Sequence, residues 1–376
     1  MIACVRYLSV VLWRWPVTVY HMLLQSLKED KQEKVIESEQ RMRSILAVIL
    51  PMILFSASAL AQPGNPIERC ESLPLPGHQV SMRVDGIEKV AWHYSRSYER
   101  PFFFPIKGPA GSSLTRLGHP GAENHDHHRS VWFAHHDVEG SDFWSNRSPA
   151  RIRQKHWYRY LDKDEETTIA VRLGWYDGKG VEVMDSDVVT TLRPLEHGAY
   201  TLEIQLTCRV PESRKSVELG KTNFGFLAVR LAKSISAYFG DGKISNSEGL
   251  VGEEQIFGKR ARWMDYSGSV PVGTGADRET TTEGITYFDH PRNPRYPTLW
   301  HVRQDGWMGA SFCMQEGFRV SPDAPLTLRY LLHVHAGEYD AERAASLANQ
   351  FAELRPFVIS KSSKPHRQYE VTRIQP

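Results

Sequence analysis

Six of the sixteen histidines in this 376-residue chain lie between residues 119 and 136. The six are His119, His125, His127, His128, His135 and His136. Imidazole donates and accepts protons near neutral pH and is the commonest metal ligand among side chains. A fold gains little from so many imidazoles in one segment, because each buried ring nitrogen needs a partner. The cluster therefore predicts a functional site, although any single histidine would also suit a solvated polar loop.

Charged and aromatic residues are interleaved with these histidines. Arginine binds carboxylates and vicinal hydroxyls, so Arg129 is a predicted substrate-binding residue unless it pairs with Asp126 or Asp137. Trp132 and Trp144 offer flat rings for sugar stacking, although such rings are more often core packing. We predict Arg129, Trp132, Asp137 and Trp144 as substrate-binding residues of the segment.

Strand alternation divides the second half of the cluster into two faces. If residues 129–136 form a strand, Val131, Phe133 and His135 point one way, while Trp132 and His136 point the other way. We predict acid–base roles for His127, His128 and His135, with a carboxylate as their counterpart. The preferred carboxylate is that of Glu248, which follows Asn246-Ser247 in a short polar turn.

A metal-assisted version of the site would use imidazoles in an extended segment. His125 and His127 are two residues apart, and a third ligand from elsewhere, such as His333 or His335, could complete a site for one divalent ion. These residue types do not distinguish zinc, calcium and iron. For His333 and His335, two histidines on the polar face of a strand are an equally good interpretation.

Two later motifs supply further candidates for substrate binding. Asp289 and Asn293 belong to a proline-punctuated loop, and rigid loops on a sheet scaffold often carry binding residues. Ordinary turn chemistry would explain the same pair. His301, in the next predicted strand, is the last of the predicted substrate-binding residues.

The elements that must position these residues are mostly strands. From Gln79 onward, runs rich in β-branched and aromatic residues are separated by turns such as Asp177-Gly178, as in antiparallel hairpins. Only Ala341–Phe351 has helical spacing, with Pro356 beyond its end. We therefore predict an all-β fold, a large two-sheet antiparallel β-sandwich with one C-terminal helix. Its domain would span 79–358, between a linker at 62–78 and a polar tail at 359–376.

The N-terminal region reads as a targeting segment. Residues 42–61 combine a basic start, an apolar stretch and a small-residue cleavage site, which predicts a cleavable signal peptide and export to the periplasm or the extracellular space. Residues 1–41 are interpreted as a gene-start error, the alternative being a membrane anchor at residues 7–24. The apolar part of the signal is too short to span a bilayer comfortably, so no stable span is expected in the mature chain. Its three cysteines allow at most one internal disulfide.

The net charge of the predicted mature chain limits the class of molecule that it is expected to bind. Removing residues 1–61 takes away seven of the 46 Lys and Arg and five of the 44 Asp and Glu, leaving 39 of each. A neutral domain speaks against nucleic-acid binding, which needs a basic excess. The expected partner is a carbohydrate or another small molecule.

Several motifs resemble one family over about residues 79–351. The motifs are PFFFPI, GPAGSSLTR, HDHHRSVWFAHHDVEGSDFW, ISNSEG, GKRARWMDYSG, GITYFDHPRNPRYPTLWHVR and LLHVH. The chain resembles an uncharacterised bacterial family labelled methane oxygenase PmoA. The resemblance implies a supersandwich fold similar to galactose mutarotase and related sugar-active proteins. Its members have His-Gly-Asp where this chain has His135-His136-Asp137, which implies that His136 is dispensable.

Three functions are compatible with these observations. The first is a secreted carbohydrate-active enzyme that uses histidine and carboxylate acid–base chemistry, with or without a metal. The second is a non-catalytic glycan-binding module. The third is a metal-dependent oxygenase, as the family label implies. That label looks misleading, because membrane methane oxygenase subunits need several transmembrane helices and the predicted mature chain has none.

Overall fold

A computed structural model describes residues 67–119, 121–122 and 125–375 of the chain. The predicted signal peptide and the proposed start-site error lie outside the described residues. The described residues form twenty strands, labelled β1 to β20 in chain order: Cys70–Leu75, Gln79–Val84, Ile87–His93, Phe102–Ile106, Val131–His135, Arg151–Leu161, Thr167–Tyr176, Glu182–Pro194, Tyr200–Arg209, Val217–Leu219, Gly225–Arg230, Lys243–Asn246, Trp263–Val272, Glu279–Asp289, Trp300–Arg303, Trp307–Ala310, Phe318–Val320, Leu326–Ala336, Phe357–Lys361 and Tyr369–Arg373. Two α-helices accompany them, α1 (Glu253–Ile256) and α2 (Ala341–Glu353).

Sixteen of the strands form two large sheets. Sheet 1 has the order β1-β2-β3-β4-β5-β11-β16-β15, and sheet 2 has the order β12-β13-β14-β18-β9-β8-β7-β6. Neighbouring strands in both sheets pair antiparallel, as in β5 with β11 and β18 with β9. The predicted all-β, two-sheet antiparallel sandwich with little helix is therefore confirmed.

The main core lies between the two sheets and follows from period-two alternation. In β18, Leu328, Tyr330 and Leu332 join the main hydrophobic cluster, together with residues from sheet 1. The alternate residues of β18 point away from that core, and they include His333 and His335, on either side of the core residue Val334. Each fully buried leucine stabilises the sandwich by roughly 1.5–3 kcal/mol, which strongly favours the register of β18 that buries all of them. In that register the alternate residues of the strand lie on the outer face.

Helix α2 covers part of the outer face of sheet 2. Its N-cap is Asp340, whose side chain accepts hydrogen bonds from the backbone amides of Glu342 and Arg343. Leu347 and Phe351 form a second apolar cluster with residues of β13, β14 and β18. The prediction of a single substantial helix at Ala341–Phe351 is thus confirmed, and the helix extends two residues further.

Both ends of the predicted domain are more ordered than the sequence suggested. The predicted linker at 62–78 contains β1, which pairs with β2 along its whole length. Pro74 in β1 breaks the sequence pattern of a strand, but β1 is an edge strand. The predicted polar tail forms the β19–β20 hairpin, in which Phe357 and Val371 are buried against Val189 of sheet 2. Alternation in a five-residue strand is too short to stand out in a polar segment.

Two further features complete the description. Cys70, Cys208 and Cys313 are buried free thiols, so the described residues contain no disulfide. In the described part of the chain, no helix combines the length and apolar character needed to cross a membrane.

Candidate functional site

The outer face of sheet 1 brings together residues from four strands. Trp132 of β5 pairs with Ala228 of β11, and Arg230 of β11 pairs with Trp307 of β16. On the next strand, Arg303 of β15 pairs with Trp307. Because directly paired residues point to the same side of a sheet, these side chains share one face, and His301 joins them two residues from Arg303. Their strand neighbours, such as Phe133 and Met308, point into the core.

Three tryptophans form the floor of this face. The ring centroid of Trp132 lies 5.5 Å from that of Trp144 and 5.3 Å from that of Trp307. The ring centroids of Trp144 and Trp307 are 5.4 Å apart. Trp132 is completely buried, so it supports the floor from below. Trp144 and Trp307 reach the surface of the cavity. Such aromatic contacts add about 0.5–1.5 kcal/mol per pair beyond area burial.

A buried arginine attaches the histidine loop to this floor. Arg100 is 1% exposed and donates to the carbonyl oxygens of Phe143 at 3.1 Å, Trp144 at 2.6 Å and His127 at 3.2 Å. Burial lowers the pKa of Arg100 to about 10, so the side chain stays charged near neutral pH. It ties the loop that carries the histidines to the loop that carries Trp144.

Above the tryptophans lies a cavity of about 550 Å³. This volume is within the usual range for small-molecule sites. Four residues of the histidine cluster line the cavity, together with His301 from β15. The four are His125, His127, His128 and His136.

His128 packs between the loop and the floor. Its ring lies 4.7 Å from Trp307 and 5.6 Å from Trp132, centroid to centroid, and the residue is 7% exposed. Burial, followed by the charges of His127 and Arg230, lowers the pKa of His128 well below its ordinary value. This imidazole is therefore neutral at physiological pH. Its Nδ1 atom is buried and has no hydrogen-bond partner among the described residues.

His301 has a defined tautomer. Its Nδ1 atom lies 3.2 Å from the carbonyl oxygen of Asn223, and a carbonyl oxygen can only accept, so Nδ1 carries the proton. Burial lowers the pKa of His301 to about 4, which keeps the ring neutral. Nε2 is then a free acceptor on a residue that lines the cavity.

His136 and Asp142 are in contact on the same wall. Nδ1 of His136 lies 3.3 Å from Oδ1 of Asp142, and the histidine side chain is 52% exposed. The same carboxylate oxygen accepts from the backbone amide of Trp144 at 2.7 Å. The family resemblance implies that His136 is dispensable, but the structure places this residue, directly after the end of β5, on the cavity wall.

A second carboxylate is held by arginine. Arg230 is 1% exposed and donates to Asp305 from Nη1 at 3.0 Å and from Nη2 at 3.3 Å, while His119 Nε2 lies 3.2 Å from the same carboxylate. Burial raises the pKa of Asp305, but the hydrogen bonds and charge of Arg230 outweigh it and hold that pKa below its usual range. Asp305 is thus an ionised carboxylate at the cavity.

His135 lies in the core. The residue is fully buried, its ring stacks on Phe226 at 4.9 Å and its Nε2 contacts the carbonyl oxygen of Gly220 at 3.0 Å. Burial lowers its pKa to about 4. The alternation predicted from the sequence places His135 on the opposite side of the strand from Trp132 and His136. His135 therefore does not line this cavity, and the prediction that it has a catalytic role there is wrong.

Arg129 and Asp137 have structural partners beside the cavity. Arg129 pairs with Glu99 at 3.2 Å and lies over the ring of Tyr98 at 4.8 Å. Its ion-pair partner is therefore neither Asp126 nor Asp137. Oδ1 of Asp137 accepts from the amide of Gly140 at 2.9 Å and caps the turn after β5.

The other predicted acidic and amide residues belong to sheet 2 and its loops. Glu248 is half exposed and lies 3.6 Å from Arg262, outside the cavity wall. Asp289 is buried and accepts from Asn293 Nδ2 at 2.7 Å and from the amide of Thr298 at 3.0 Å. Burial raises its pKa to about 7. The Asp289–Asn293 pair organises its loop, and the turn-chemistry interpretation describes it best.

The proposed metal ligands lie on opposite sides of the sandwich. His125 and His127 line the cavity on sheet 1, whereas His333 and His335 point outward from sheet 2. Packed sheets are about 10 Å apart, whereas zinc–nitrogen bonds measure about 2 Å. The two pairs therefore cannot share one ion. In the described ranges, no three His, Cys, Asp or Glu side chains are arranged to hold a metal.

Sequence reasoning missed Arg100, Arg230, Asp305 and Trp307. Arg230 carried a signal, since it is the only charged residue of the apolar strand Gly225–Arg230. Trp307 and Asp305 could be placed only through the pairing of β15 with β16 and of β16 with β11. No local sequence pattern indicates which of these strands pair.

These features define an all-β sandwich protein with a cavity lined by histidine and aromatic residues on one outer face. The chain belongs to the family of unknown function DUF6807, whose model matches residues 79–349. No curated protein matches the chain. The family model carries no activity, so the methane oxygenase label remains an expectation from the sequence.

Two solved structures show weak similarity. A 4-α-glucanotransferase from Thermococcus litoralis is 9% identical with a TM-score of 0.26, and the match covers 72% of this chain and 40% of that chain. A GalM/aldose epimerase homologue from C. elegans is 6% identical with a TM-score of 0.23, covering 72% of this chain and 99% of that chain. Scores this low do not establish a common fold, so the architecture rests on the sheets described above.

Proposed function

We propose that the cavity on sheet 1 is the active site of a carbohydrate-active enzyme that works by acid–base proton transfer. The observation that carries the proposal is the convergence of five imidazoles, two carboxylates and two tryptophan rings on one cavity. Perturbed titratable groups in a cleft are characteristic of catalytic sites.

The lining matches the chemistry of a sugar ring. Sugars present apolar C–H faces and many hydroxyl groups, and aromatic rings combine an apolar body with a polar edge. Trp144 and Trp307 supply such surfaces, and Phe224 lies beside them, 5.5 Å from Trp144 between ring centroids. Arg230 and Arg303 offer donors to hydroxyl oxygens on the same cavity.

Two imidazoles flank Phe224 and have complementary roles in the proposal. The ring of His301 is 5.3 Å from that of Phe224, and the ring of His136 is 6.2 Å from it. His301 Nε2 accepts a proton from the substrate, because this neutral tautomer has a free acceptor. His136, supported by Asp142, returns a proton as the general acid. His127 and His128 position the substrate over Trp307.

Solvent-hydrogen exchange tests this proposal without a prior choice of bond. Neutral and keto sugars are incubated with the protein in deuterated water, and deuterium incorporation or product formation is followed by NMR. His301→Gln is expected to lose at least about a hundredfold in rate, as is typical for a general base. His366→Asn is the matched control, because His366 is exposed and Asn tolerates its positive φ of 59°.

The outcomes are distinguishable. Turnover that disappears in His301→Gln and His136→Gln but persists in His366→Asn supports the proposal. Sugar binding without exchange or product would instead support a non-catalytic glycan-binding module. Activity that needs added iron or copper would support the oxygenase label, for which the described residues offer no fitting ligand set.

We also propose that the protein is exported after cleavage behind Ala61. The signal-like pattern of residues 42–61 supports this proposal. N-terminal sequencing of protein recovered from a native-like host is expected to begin at or near Gln62. Recovery of peptides from residues 5–40 in that mature protein would contradict it.

A further inference from the structure

A second cavity, of about 310 Å³, lies on the outer face of sheet 2. It lies at the N-terminal end of α2, where the apolar contacts between helix and sheet give way to polar side chains. The floor comes from β14 and β18, and the rim comes from residues 196–199 and from residues 336–343. This cavity faces away from sheet 1 and has no part in the proposed active site.

A buried carboxylate organises the floor of this cavity. Asp265 is completely buried and contacts His335 Nε2 at 2.9 Å and Thr286 Oγ1 at 2.7 Å. Ser267 donates to its other oxygen. With both oxygens engaged, Asp265 holds His335 and Thr286 in fixed positions and orients them under the cavity.

His333 is the unpaired polar group at this site. It is 5% exposed, lines the cavity and stacks on His335 with ring centroids 5.1 Å apart. Across the described part of the chain, no residue forms a hydrogen bond with it. Neither of its ring nitrogens is among the buried nitrogens sealed from solvent, so both reach the cavity. A neutral imidazole offers one donor and one acceptor, which is the pattern that a hydroxyl group complements.

The rim indicates the charge of the ligand. Glu196, Glu338 and Asp340 contribute three carboxylates, against the guanidinium of Arg343. An anionic ligand would meet this negative excess, whereas hydroxyl groups can donate to carboxylates and accept from Arg343. No tryptophan, tyrosine or phenylalanine lines the cavity, so recognition would rely on hydrogen bonds rather than on ring stacking.

We propose that this cavity is a second binding site, specific for a neutral polyhydroxy compound of monosaccharide size, with His333 as its central hydrogen-bonding residue. The site is independent of turnover on sheet 1 and would retain a sugar or polyol while the other cavity reacts.

Histidine-selective NMR tests the proposal on the purified protein. The ring signals of His333 and His335 are followed while glucose, galactose or myo-inositol is added, with glucuronate and glucosamine as charged probes. A saturable shift of both signals with at least one neutral probe is expected, and a much weaker response to glucuronate.

Variants assign the effect to this cavity. His333→Phe removes both polar atoms and is expected to abolish the saturable shift of the His335 signal. His333→Gln keeps polar atoms and tests the same point should the Phe variant fail to fold; a loss of about tenfold in affinity is expected for one lost hydrogen bond. His301→Gln, on the opposite sheet, should leave the titration unchanged.

Three results would overturn the proposal. The first is a folded wild-type protein in which no neutral probe shifts the His333 signal. The second is a response to glucosamine or glucuronate alone, which would assign the cavity to a charged ligand. The third is an unchanged His335 titration in both His333 variants, which would place the binding elsewhere.

Discussion

The two outer faces of the sandwich follow the same alternation rule but are covered differently. On sheet 1, the outward residues include tryptophans and arginines, and the residues of the histidine loop and of the loop that carries Trp144 line the cavity above them. On sheet 2, helix α2 and the β19–β20 hairpin cover parts of the face with apolar contacts. The comparison shows that the cover, rather than the sheet, determines where a large aromatic cavity remains open.

The histidines of the two faces also differ in their electrostatics. Among the described residues no carboxylate contacts His301 directly, and burial lowers its pKa. Burial also works to lower the pKa of His335, but the hydrogen bond and charge of Asp265 outweigh it and raise that pKa. The pKa of His301 on one face is thus lowered, whereas the pKa of His335 on the other face is raised. The predictions that follow run from the largest expected effect to the smallest.

The largest effect is expected from the aromatic floor. Trp132→Ala should lower the free energy of unfolding by roughly 3–5 kcal/mol, because it removes a fully buried ring. Leu347→Ala, under α2 on the other face, should cost roughly 2–5 kcal/mol and leave the sheet 1 cavity intact. Urea denaturation measures both. A cost below about 1 kcal/mol for Trp132→Ala would mean that the floor can collapse around the gap.

The next effect is a pH dependence of opposite sign on the two faces. The unfolded chain takes up a proton on His301 below about pH 6.5, whereas the folded protein does so only near its pKa of about 4. Stability from His301 is therefore present above pH 6.5 and is lost as the pH falls to about 4, by at most about 3 kcal/mol. For His335, whose pKa is raised, the contribution is present below about pH 6.5 and is lost as the pH rises through its folded pKa.

Melting temperatures across this pH range separate the two contributions. His301→Gln should flatten the loss of stability on the acid side, and His335→Gln should flatten the loss on the alkaline side. His366→Asn, at an exposed site, should change neither slope. Identical pH profiles for the two buried-site variants would contradict the electrostatic difference between the faces.

A smaller effect is expected at the N-terminus of α2. Asp340 accepts from the amides of Glu342 and Arg343, so Asp340→Ala should cost about 1 kcal/mol through the lost cap. Asp340→Asn keeps an accepting oxygen and should cost much less. Differential scanning calorimetry distinguishes the two variants, and equal losses would show that the cap contributes nothing.

The smallest effect is expected at Glu248. Its ion pair with Arg262 is half exposed and 3.6 Å long, so Glu248→Gln should change the free energy of unfolding by less than about 0.5 kcal/mol. Turnover should also be unchanged, because the residue lies outside the sheet 1 cavity. A large loss of activity in this variant would restore Glu248 to the site and remove His136–Asp142 from its proposed role.

Much of the local organisation could be read from the sequence. The alternation around Trp132 and His136, the helix at residues 341–351 and the all-β class depend on side-chain period and residue type, which are local properties. The histidine loop and His301 were recognised by composition. The prediction of secondary structure from the sequence failed where a short strand has no clear alternation of apolar and polar residues, as in β1 and the β19–β20 hairpin.

The sequence by itself determined which face each residue of a strand occupies, because alternation is built into the extended backbone. Only the tertiary structure decided which faces meet, since the successive pairing of β5, β11, β16 and β15 brings residues as distant in sequence as Trp132 and Trp307 into contact. That long-range pairing brings Arg230, His301 and Trp307 to the histidine loop, and it leaves Glu248, Asp289 and His333 on the other sheet. Strand order depends on how two whole apolar faces bury each other, a free energy that no short segment carries.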